Sequence, residues 1–368
     1  MQAISSYIIY ENPLPQLRSR HAFFPSLCEL ADGRLAAVYA VGEAFESVDS
    51  TTCISFSEDG GVSWSAPRPI LDKSGLAIPV TDYAKISRLP NGDLMVFGYA
   101  YLRPDPELPI GNPATGGLLE DYMFYAVSKD GGESFSDPVK VDCSWGPHVE
   151  ASAPMLFLQD GTWITPITGF PDWQGSMTGR MCGRALCSRD GGKTFDDSAV
   201  CMDFGDRPVT CYEQRMCQLD SGTLVCIGWN EDTVSGTLLH NHVTLSHDGG
   251  KTWSAPIDTG VGGQASSLCA LGGERLLALH AVRKNTDRPG VYGYVVDLSE
   301  GTWKVVDEAL LWEPTSPLLK NTKMAEIFAF LKFGQPSAIR LSDGDLLMTH
   351  WFEEGGQYKT VVTRLCLT

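Results

Sequence analysis

Acidic side chains recur where short apolar runs of this chain begin, and their types suit acid–base chemistry. Glu150 follows His148 by two positions, and Glu213 precedes Arg215 by two. Hydrolysis of a glycosidic bond needs two carboxyl groups, one protonated and one ionised. Burial and neighbouring charges can separate the pKa values of such a pair. The predicted catalytic residues are Glu213, Glu150, Asp49, Asp82 and His148.

A second set of side chains suits the binding of a sugar. Indole rings can stack on the C–H faces of sugars, and cations can clamp a sugar carboxylate. The predicted substrate-binding residues are His21, Lys85, Arg215, Trp173, Trp229, Arg283, His280, His350 and Trp351. For the cations, ordinary salt bridges between repeats are the alternative, and the histidines could serve as acid–base groups. No His/Cys cluster has zinc spacing, so we predict neither a metal nor a cofactor.

A repeated turn motif indicates which elements position these residues. The pattern Ser-x-Asp-Gly-Gly-x-Ser/Thr-aromatic occurs four times, starting at Ser57, Ser128, Ser188 and Ser246. The Asp side chain can accept bonds from the amides that follow it, and the two glycines allow positive φ. The pattern therefore predicts a tight turn between two strands. We assign its aspartates a structural role: Asp59, Asp130, Asp190 and Asp248.

A second repeat consists of an apolar run, a short polar turn and another apolar run, which is typical of a β-hairpin. The leucine before each turn lies at position 30, 89, 158, 219, 271 or 341. Combined with the first motif, this pattern predicts six four-stranded units and an all-β fold. The fifth unit has lost its Asp-Gly-Gly, and the strand at residues 5–10 is needed to complete the sixth.

Closing the six units into a ring removes two exposed sheet edges. We therefore predict one six-bladed β-propeller domain over residues 1–368, with a linear β-solenoid as the alternative. In a propeller the two turn types share one face. The starts of the innermost strands meet around the axis at the opposite face, where we expect the polar residues to converge. The Pro- and Gly-rich insertion 103–119 could be a lid or an interface.

The composition excludes several partners. A net charge of −17 argues against a nucleic acid or an anionic membrane, because both require basic surface. No apolar run reaches the roughly 18 residues of a membrane span, and no signal peptide is visible, so the expected location is cytoplasmic. The chain has 11 cysteines, many inside apolar runs, which suits reduced, buried thiols.

The Asp-Gly-Gly turns resemble the Asp-box repeats of the sialidase (neuraminidase) superfamily, which are carried by a six-bladed propeller. This resemblance implies a carbohydrate substrate and places the Asp-boxes on the face away from the active site. It also implies that Asp49 corresponds to the acid/base aspartate of the family, and that Glu213 corresponds to the carboxylate of the fourth blade.

The chain departs from the sialidase pattern at three places. Phe23 stands where the first inner strand should carry a substrate-binding arginine, and Trp229 stands where a second arginine is expected. The segment Phe333-Gly-Gln-Pro-Ser337 lacks the nucleophilic tyrosine. We therefore expect a sialidase-like, exo-acting glycoside hydrolase for another acidic or deoxy-sugar glycan. A polysaccharide lyase that acts beside a uronic acid with a His or Tyr base, and a non-catalytic glycan-binding propeller, are the alternatives.

Overall fold

The computed structural model describes residues 1–315 and 331–367. Within these residues every regular element is a β-strand, and the strands form six main sheets and one small hairpin. The sheets are the blades of a propeller. This arrangement confirms the predicted all-β, six-bladed β-propeller and rules out the linear β-solenoid.

The first three blades follow one another along the chain after β1 (Gln2–Tyr10), which belongs to the last blade. The first blade consists of β2 His21–Glu29, β3 Leu35–Gly42, β4 Thr51–Ser57 and β5 Arg68–Pro69. The second consists of β6 Val80–Arg88, β7 Leu94–Leu102, β8 Asp121–Ser128 and β9 Val139–Val141. The third consists of β10 Val149–Glu150, β11 Leu156–Phe157, β12 Trp163–Gly169, β13 Gly183–Ser188 and β14 Asp196–Met202.

The last three blades complete the ring. The fourth consists of β15 Tyr212–Gln218, β16 Leu224–Trp229, β19 His242–Ser246 and β20 Ile257–Asp258, with a separate hairpin of β17 Glu231–Asp232 and β18 Thr237–Leu238. The fifth consists of β21 Ser266–Gly272, β22 Arg275–Val282, β23 Gly290–Asp297 and β24 Lys304–Trp312. The sixth consists of β25 Phe333–Arg340, β26 Leu346–Glu354, β27 Gln357–Cys366 and β1.

The innermost strands contact one another around the axis. β25 contacts both β21 and β2, so the sixth blade lies against the fifth and the first. The N-terminal strand β1 pairs antiparallel with β27 as the outermost strand of the sixth blade. This pairing joins the two ends of the chain in one sheet and covers the edge that β27 would otherwise expose.

Apolar layers between neighbouring blades form the core. Leu94 and Phe124 of the second blade, for example, pack with Ile54 of the first blade. All the cysteines are free thiols, and nine of the 11 are buried: Cys28, Cys53, Cys182, Cys187, Cys201, Cys211, Cys217, Cys226 and Cys269. Continuous apolar runs in the middle strands agree with this burial on both faces of each blade.

The inner hairpins close as the repeat predicts. In five blades the leucine before the turn donates its N–H to the carbonyl four residues on, as in Leu30 to Arg34 and Leu341 to Asp345, each at 2.8 Å. The fifth blade differs, because Gly272 pairs directly with Arg275 across a two-residue turn. In this hairpin Gly273-Glu274 stands where the other repeats have Asp-Gly, Asn-Gly or Ser-Gly.

The four Asp-box turns share one set of hydrogen bonds. In the fourth, Asp248 Oδ1 accepts from the Ser246 hydroxyl and the Thr252 amide, each at 2.9 Å, and Oδ2 accepts from the Thr252 hydroxyl at 2.6 Å. These bonds lower the pKa of Asp248 to about 2, the Thr252 hydroxyl contributing most. The Trp253 indole then donates to the Gly250 carbonyl at 3.0 Å. The same carboxylate pattern recurs at Asp59, Asp130 and Asp190.

Both turn types lie on the same face of the propeller. Arg364 donates to the Gly60 carbonyl of the first Asp-box at 3.2 Å and is also paired with Asp345, in the turn of the sixth inner hairpin. The starts of the inner strands therefore point to the opposite face, as the repeat pattern predicts. We call the face that carries both turn types the hairpin face.

We expect Asp248→Ala to lower the melting temperature by a few degrees without changing any activity of the axial residues. The substitution removes the carboxylate that holds the turn closed, and this turn lies on the hairpin face. Asp137→Ala, an exposed aspartate beyond the second Asp-box, is the matched control. Thermal unfolding followed by circular dichroism checks the result, and equal melting temperatures for both variants would contradict the structural role.

Insertion 103–119 packs against the third blade. The buried Arg103 side chain donates to the carbonyls of Glu46 and Leu108, each at 2.7 Å. Asn112 and Thr115 donate to the Trp173 carbonyl at 2.9 and 3.0 Å. The insertion is therefore anchored at both its base and its tip.

Candidate functional site

Three inner strands carry a β-bulge at the same level of the propeller. The register shifts between Phe23 and Ser26 in β2, between Tyr212 and Arg215 in β15, and between Gly334 and Ser337 in β25. The bulged residues Phe24, Glu213 and Gln335 have φ values of +57°, +42° and +41°. A positive φ is costly for a residue with a side chain, and such strain concentrates at functional positions. A bulge also redirects side chains, here those of Glu213 and Gln335.

The Glu213 carboxylate is the centre of a network that crosses the axis. Its Oε2 accepts from the Trp229 indole at 2.7 Å, and its Oε1 accepts from the Gln335 amide. Gln335 Oε1 in turn accepts from Lys85 Nζ at 3.2 Å, and Lys85 also donates to the Phe24 carbonyl at 2.7 Å. Residues of the first, second, fourth and sixth blades are thereby connected.

Glu150 joins the network from the third blade. Its Oε2 accepts from the Glu213 backbone amide at 3.1 Å, and its Oε1 accepts from the Ser152 amide at 2.9 Å. Burial raises the pKa of Glu150, the Arg215 charge opposes this rise, and the Glu213 charge adds to it. Arg215 donates to the Ser152 hydroxyl and to the Gln214 carbonyl, each at 2.7 Å.

The charge of Glu213 also affects the pKa values of two buried cations, Arg283 and Lys85. Burial lowers the pKa of Arg283 to about 10 while Glu213 opposes the shift, and the guanidinium donates to the Phe333 carbonyl at 2.9 Å. Burial also lowers the pKa of Lys85 well below its usual value; Arg215 adds to this effect, and Glu213 and Glu150 oppose it. With Arg283 from the fifth blade, all six blades contribute to what we call the axial cluster.

The structure places the other predicted catalytic residues outside the axial cluster. Asp82 is fully buried between the first two blades, where it pairs with Lys73 at 2.5 Å and accepts from the Thr52 amide at 2.9 Å. Asp49 lies at the surface and pairs with Arg20 at 2.6 Å. Burial opposes the shift, but bonds from Glu43 and Ser47 and the Arg20 charge lower the pKa of Asp49.

Three predicted histidines also lie apart from the cluster. The ring of His148 contacts the Leu119 carbonyl at 3.3 Å, and His280 and His350 have no exposed surface. Burial lowers the pKa of His280 and His350 to about 3. The predicted substrate-binding role of His280 and His350 requires exposed side chains, and the structure encloses both of them completely. Their enclosure also removes the support that they gave to an elimination mechanism.

Four other predicted sugar-binding residues differ in their surroundings: Trp229, Trp173, Trp351 and His21. Trp229 belongs to the axial cluster, whereas Trp173 is half-buried and its carbonyl holds insertion 103–119. Trp351 is 1% exposed and packs within an aromatic cluster with Phe23, Phe24, Phe45 and Tyr358. The half-buried His21 borders that cluster, where its Nδ1 accepts from the Tyr358 amide at 3.2 Å. Trp351 is therefore a packing residue and not a sugar-stacking one.

Sequence reasoning missed three contributors to the axial cluster. Ser152 bridges Glu150 and Arg215, the Phe24 carbonyl accepts from Lys85, and the buried Tyr99 has its pKa raised by burial and then by the Glu150 charge. A signal for the bulges is present in the repeat. Phe24, Glu213 and Gln335 each lie six residues before the turn leucine of their hairpin, and a proline follows Phe24 and Gln335.

The structure describes residues 1–315 and 331–367, and the following two statements hold for these residues. In that part of the chain no three His, Cys, Asp or Glu side chains form a group that could hold a metal ion. Over the same residues, no helix has the length and apolarity needed to cross a membrane.

Comparisons with known proteins agree with this architecture. The BNR/Asp-box repeat matches residues 244–255, which contain the fourth Asp-box. No protein with a curated description matches the chain. A solved protein of unknown function from Dyadobacter fermentans DSM 18053 is 19% identical with a TM-score of 0.78, and the match covers 100% of this chain and 99% of that one.

Two solved sialidases have the same fold. The Hadza microbial sialidase Hz136 is 16% identical with a TM-score of 0.66, over 98% of this chain and 68% of that one. The Trypanosoma rangeli sialidase in complex with the inhibitor DANA is 15% identical with a TM-score of 0.61, over 99% of this chain and 58% of that one. This chain thus spans less than two thirds of the trypanosomal enzyme. It is a six-bladed β-propeller with Asp-box repeats, structurally similar to the sialidases at low sequence identity.

Proposed function

We propose that this propeller is a glycan-active enzyme, an exo-acting glycoside hydrolase for an acidic or deoxy-sugar glycan. One observation carries the proposal: the Glu213 carboxylate sits on a strained bulge at the axis, where it accepts from Trp229 of its own blade and from Gln335 of the sixth blade. Strain of this kind persists only where the surrounding structure enforces it.

The two carboxyl groups of the cluster suit different roles. Burial raises the pKa of Glu150, which favours the protonated form that a general acid needs at neutral pH. Glu213 is half-buried and surrounded by hydrogen-bond donors, which suits the carboxylate that stabilises or attacks an oxocarbenium-like centre. In this proposal Glu150 protonates the leaving oxygen, and Glu213 acts on the anomeric carbon.

The cations of the cluster support an acidic substrate. Three cations lie close enough to Glu213 or Glu150 for the charge of one group to affect the pKa of the other: Lys85, Arg215 and Arg283. Phe23, which stands where sialidases have an arginine, is fully buried in the aromatic cluster. A carboxylate clamp in this protein would therefore use cations at other positions, which favours an acidic sugar other than the usual sialidase substrate.

A non-catalytic glycan-binding propeller is the second candidate, and one observation favours it. Both oxygens of Glu213 and both oxygens of Glu150 already accept hydrogen bonds from the protein. Catalysis would require substrate to displace at least one of these donors, with Gln335 the simplest because it is a flexible side chain. A binding protein would need no such displacement.

A screen of acidic oligosaccharides separates these candidates. We expect the purified protein to shorten at least one uronic- or nonulosonic-acid-terminated oligosaccharide from its non-reducing end, with the mass of one water gained per bond cleaved. Products whose mass shows no added water would indicate elimination and contradict hydrolysis. Binding of an oligosaccharide without any cleavage over days would contradict catalysis and support the binding module.

A further inference from the structure

An open cavity of about 940 Å³ lies on the propeller axis, with Lys85, Arg215 and Gln335 of the axial cluster in its wall. Its wall begins at one residue of the innermost segment of each blade and extends along that segment toward the hairpin face. These first wall residues are Ser26, Lys85, Pro154, Arg215, Ser267 and Gln335. Neither Glu213 nor Glu150 belongs to the wall. We call this cavity the hairpin-side channel, since the turn residues Ala31 and Gly92 lie at its mouth.

The charge of this channel is opposite to that of the protein. Four cations and one carboxylate line it: Lys85, Arg88, Arg215, Arg340 and Glu29. The Glu29 carboxylate already accepts from the amide and the hydroxyl of Ser342, both at 2.7 Å. A net positive channel in a chain of charge −17 concentrates the field at the axis, because low-dielectric walls focus field lines into clefts.

Two of these cations lie at the closed end of the channel. Lys85 is 5% exposed and Arg215 is 6% exposed. Their hydrogen bonds go to neutral acceptors: Lys85 to the Phe24 carbonyl and Gln335, and Arg215 to Ser152 and the Gln214 carbonyl. Among the described residues neither cation forms an ion pair, and Arg215 Nε and Nη2 have no protein partner.

Two buried cations without a hydrogen-bonded carboxylate are costly. The charges of Glu213 and Glu150 offset only part of this cost, since burial still lowers the pKa of Lys85 well below its usual value. An anion that entered from the hairpin face would accept from Lys85 Nζ and from the free edge of the Arg215 guanidinium. Planar carboxylate and tetrahedral phosphate both match that edge. The hydroxyls of Ser87 and Ser337, which also line the channel, could donate to the remaining oxygens.

We propose that the hairpin-side channel binds a small anion with a carboxylate or phosphate group, held between Lys85 and Arg215. The Glu213 carboxylate is not part of this site, and the anion reaches the site from the hairpin face. Gln335 contacts both Lys85 and Glu213, so it connects the proposed anion site to the Glu213 carboxylate.

Calorimetric titration of the protein tests this proposal, with inorganic phosphate and malonate as probes and sodium chloride holding the ionic strength constant. We expect one saturable site for at least one probe, with a Kd below about 1 mM. Preference for phosphate or for malonate then distinguishes the two chemical sources. Arg215→Met should weaken binding about tenfold or more, because it removes a charge-assisted hydrogen bond.

A second variant keeps the test valid if Arg215→Met fails to fold. Ser87→Leu leaves both cations in place but fills part of the channel wall, so it should also weaken binding. Arg288→Met is the matched control, since Arg288 is an exposed residue paired with Glu313 away from the channel, and it should bind like the wild type. No saturable binding, or equal binding by Ser87→Leu and the wild type, would overturn the proposal and indicate an adventitious ion only.

Discussion

Glu213→Gln is expected to reduce kcat/KM for glycan cleavage by roughly a thousandfold while leaving the protein folded. Loss of a catalytic acid, base or carboxylate typically costs 10² to 10⁴ in rate. Glutamine has nearly the same shape, and its one carbonyl oxygen can still accept from Trp229, which now donates to Glu213 at 2.7 Å. The bond from Gln335 is lost, and this loss costs about 1–3 kcal/mol of stability at most.

Two comparison variants make the result specific. Glu133→Gln makes the same chemical change at an exposed residue paired with Arg68 near the second Asp-box, and it should retain full activity. Asp49→Asn tests the residue that the sialidase resemblance implies, which the structure places at the surface with Arg20. If Asp49→Asn abolished cleavage while Glu213→Gln did not, the axial assignment would be wrong. Initial rates on the substrate found by the screen, with thermal unfolding of each variant, provide both measurements.

The repeats made the fold predictable because each one combines several local signals. Asp248 can accept bonds from the amides that follow it, and the glycines allow the positive φ of a tight turn. A leucine such as Leu341 marks the strand that precedes each inner turn. Four-stranded units with exposed edges then require either an open stack or a closed ring, and six units of variable length favour the ring. The pairing of β1 with β27 shows how the chain covers the last edge.

The site was only partly predictable, because the repeat gives the level of a residue along a strand but not the side of the sheet it faces. Alternate residues of a strand point to opposite faces. Asp82 and Lys85 differ by three positions, and accordingly Asp82 pairs with Lys73 between blades while Lys85 reaches the axis. His350 likewise points away from the axis, between the fifth and sixth blades, where its ring centroid lies 4.8 Å from that of Trp312.

The bulges account for the rest of the difference. In a regular strand Glu213 and Arg215 would share a face, and an ion pair between them would be the simplest prediction. The bulge in β15 instead turns Glu213 toward Trp229 and Gln335, whereas Arg215 bonds to Ser152. Single-sequence patterns do not report a bulge directly, and the proline that follows Phe24 and Gln335 is the one local signal in two of the three strands.

Acid is expected to destabilise this protein strongly, because two fully buried histidines must remain neutral in the folded state. Burial lowers the pKa of His280 and His350 from 6.5 to about 3. Neither nitrogen of His350 has a hydrogen-bond partner among the described residues, and His280 bonds only through Nδ1, to Ser266 at 2.9 Å. Below pH 6.5 the unfolded chain therefore binds protons that the folded chain excludes, so stability falls as the pH falls.

The size of this effect follows from linkage. Each such histidine lowers the free energy of unfolding by about 1.4 kcal/mol per pH unit between pH 6.5 and pH 3. At pH 4.5 the two together account for about 5 kcal/mol, which is comparable to the whole stability of many domains. Burial raises the pKa of Glu46, Asp121 and Glu150, and these groups act in the opposite direction. A comparison of variants cancels their contribution.

His350→Leu isolates one of the two histidines. Leucine has a similar volume, suits the apolar contacts with Trp312 and Phe352, and cannot take up a proton. We expect urea unfolding between pH 6 and pH 4.5 to show a slope about 1.4 kcal/mol per pH unit smaller for this variant than for the wild type. His247→Gln, at an exposed histidine, should keep the wild-type slope. Equal slopes for His350→Leu and the wild type would contradict this prediction, because they would mean that His350 takes up a proton in the folded protein. Since His350 is completely buried beside Trp312, such protonation would require the fifth and sixth blades to separate there.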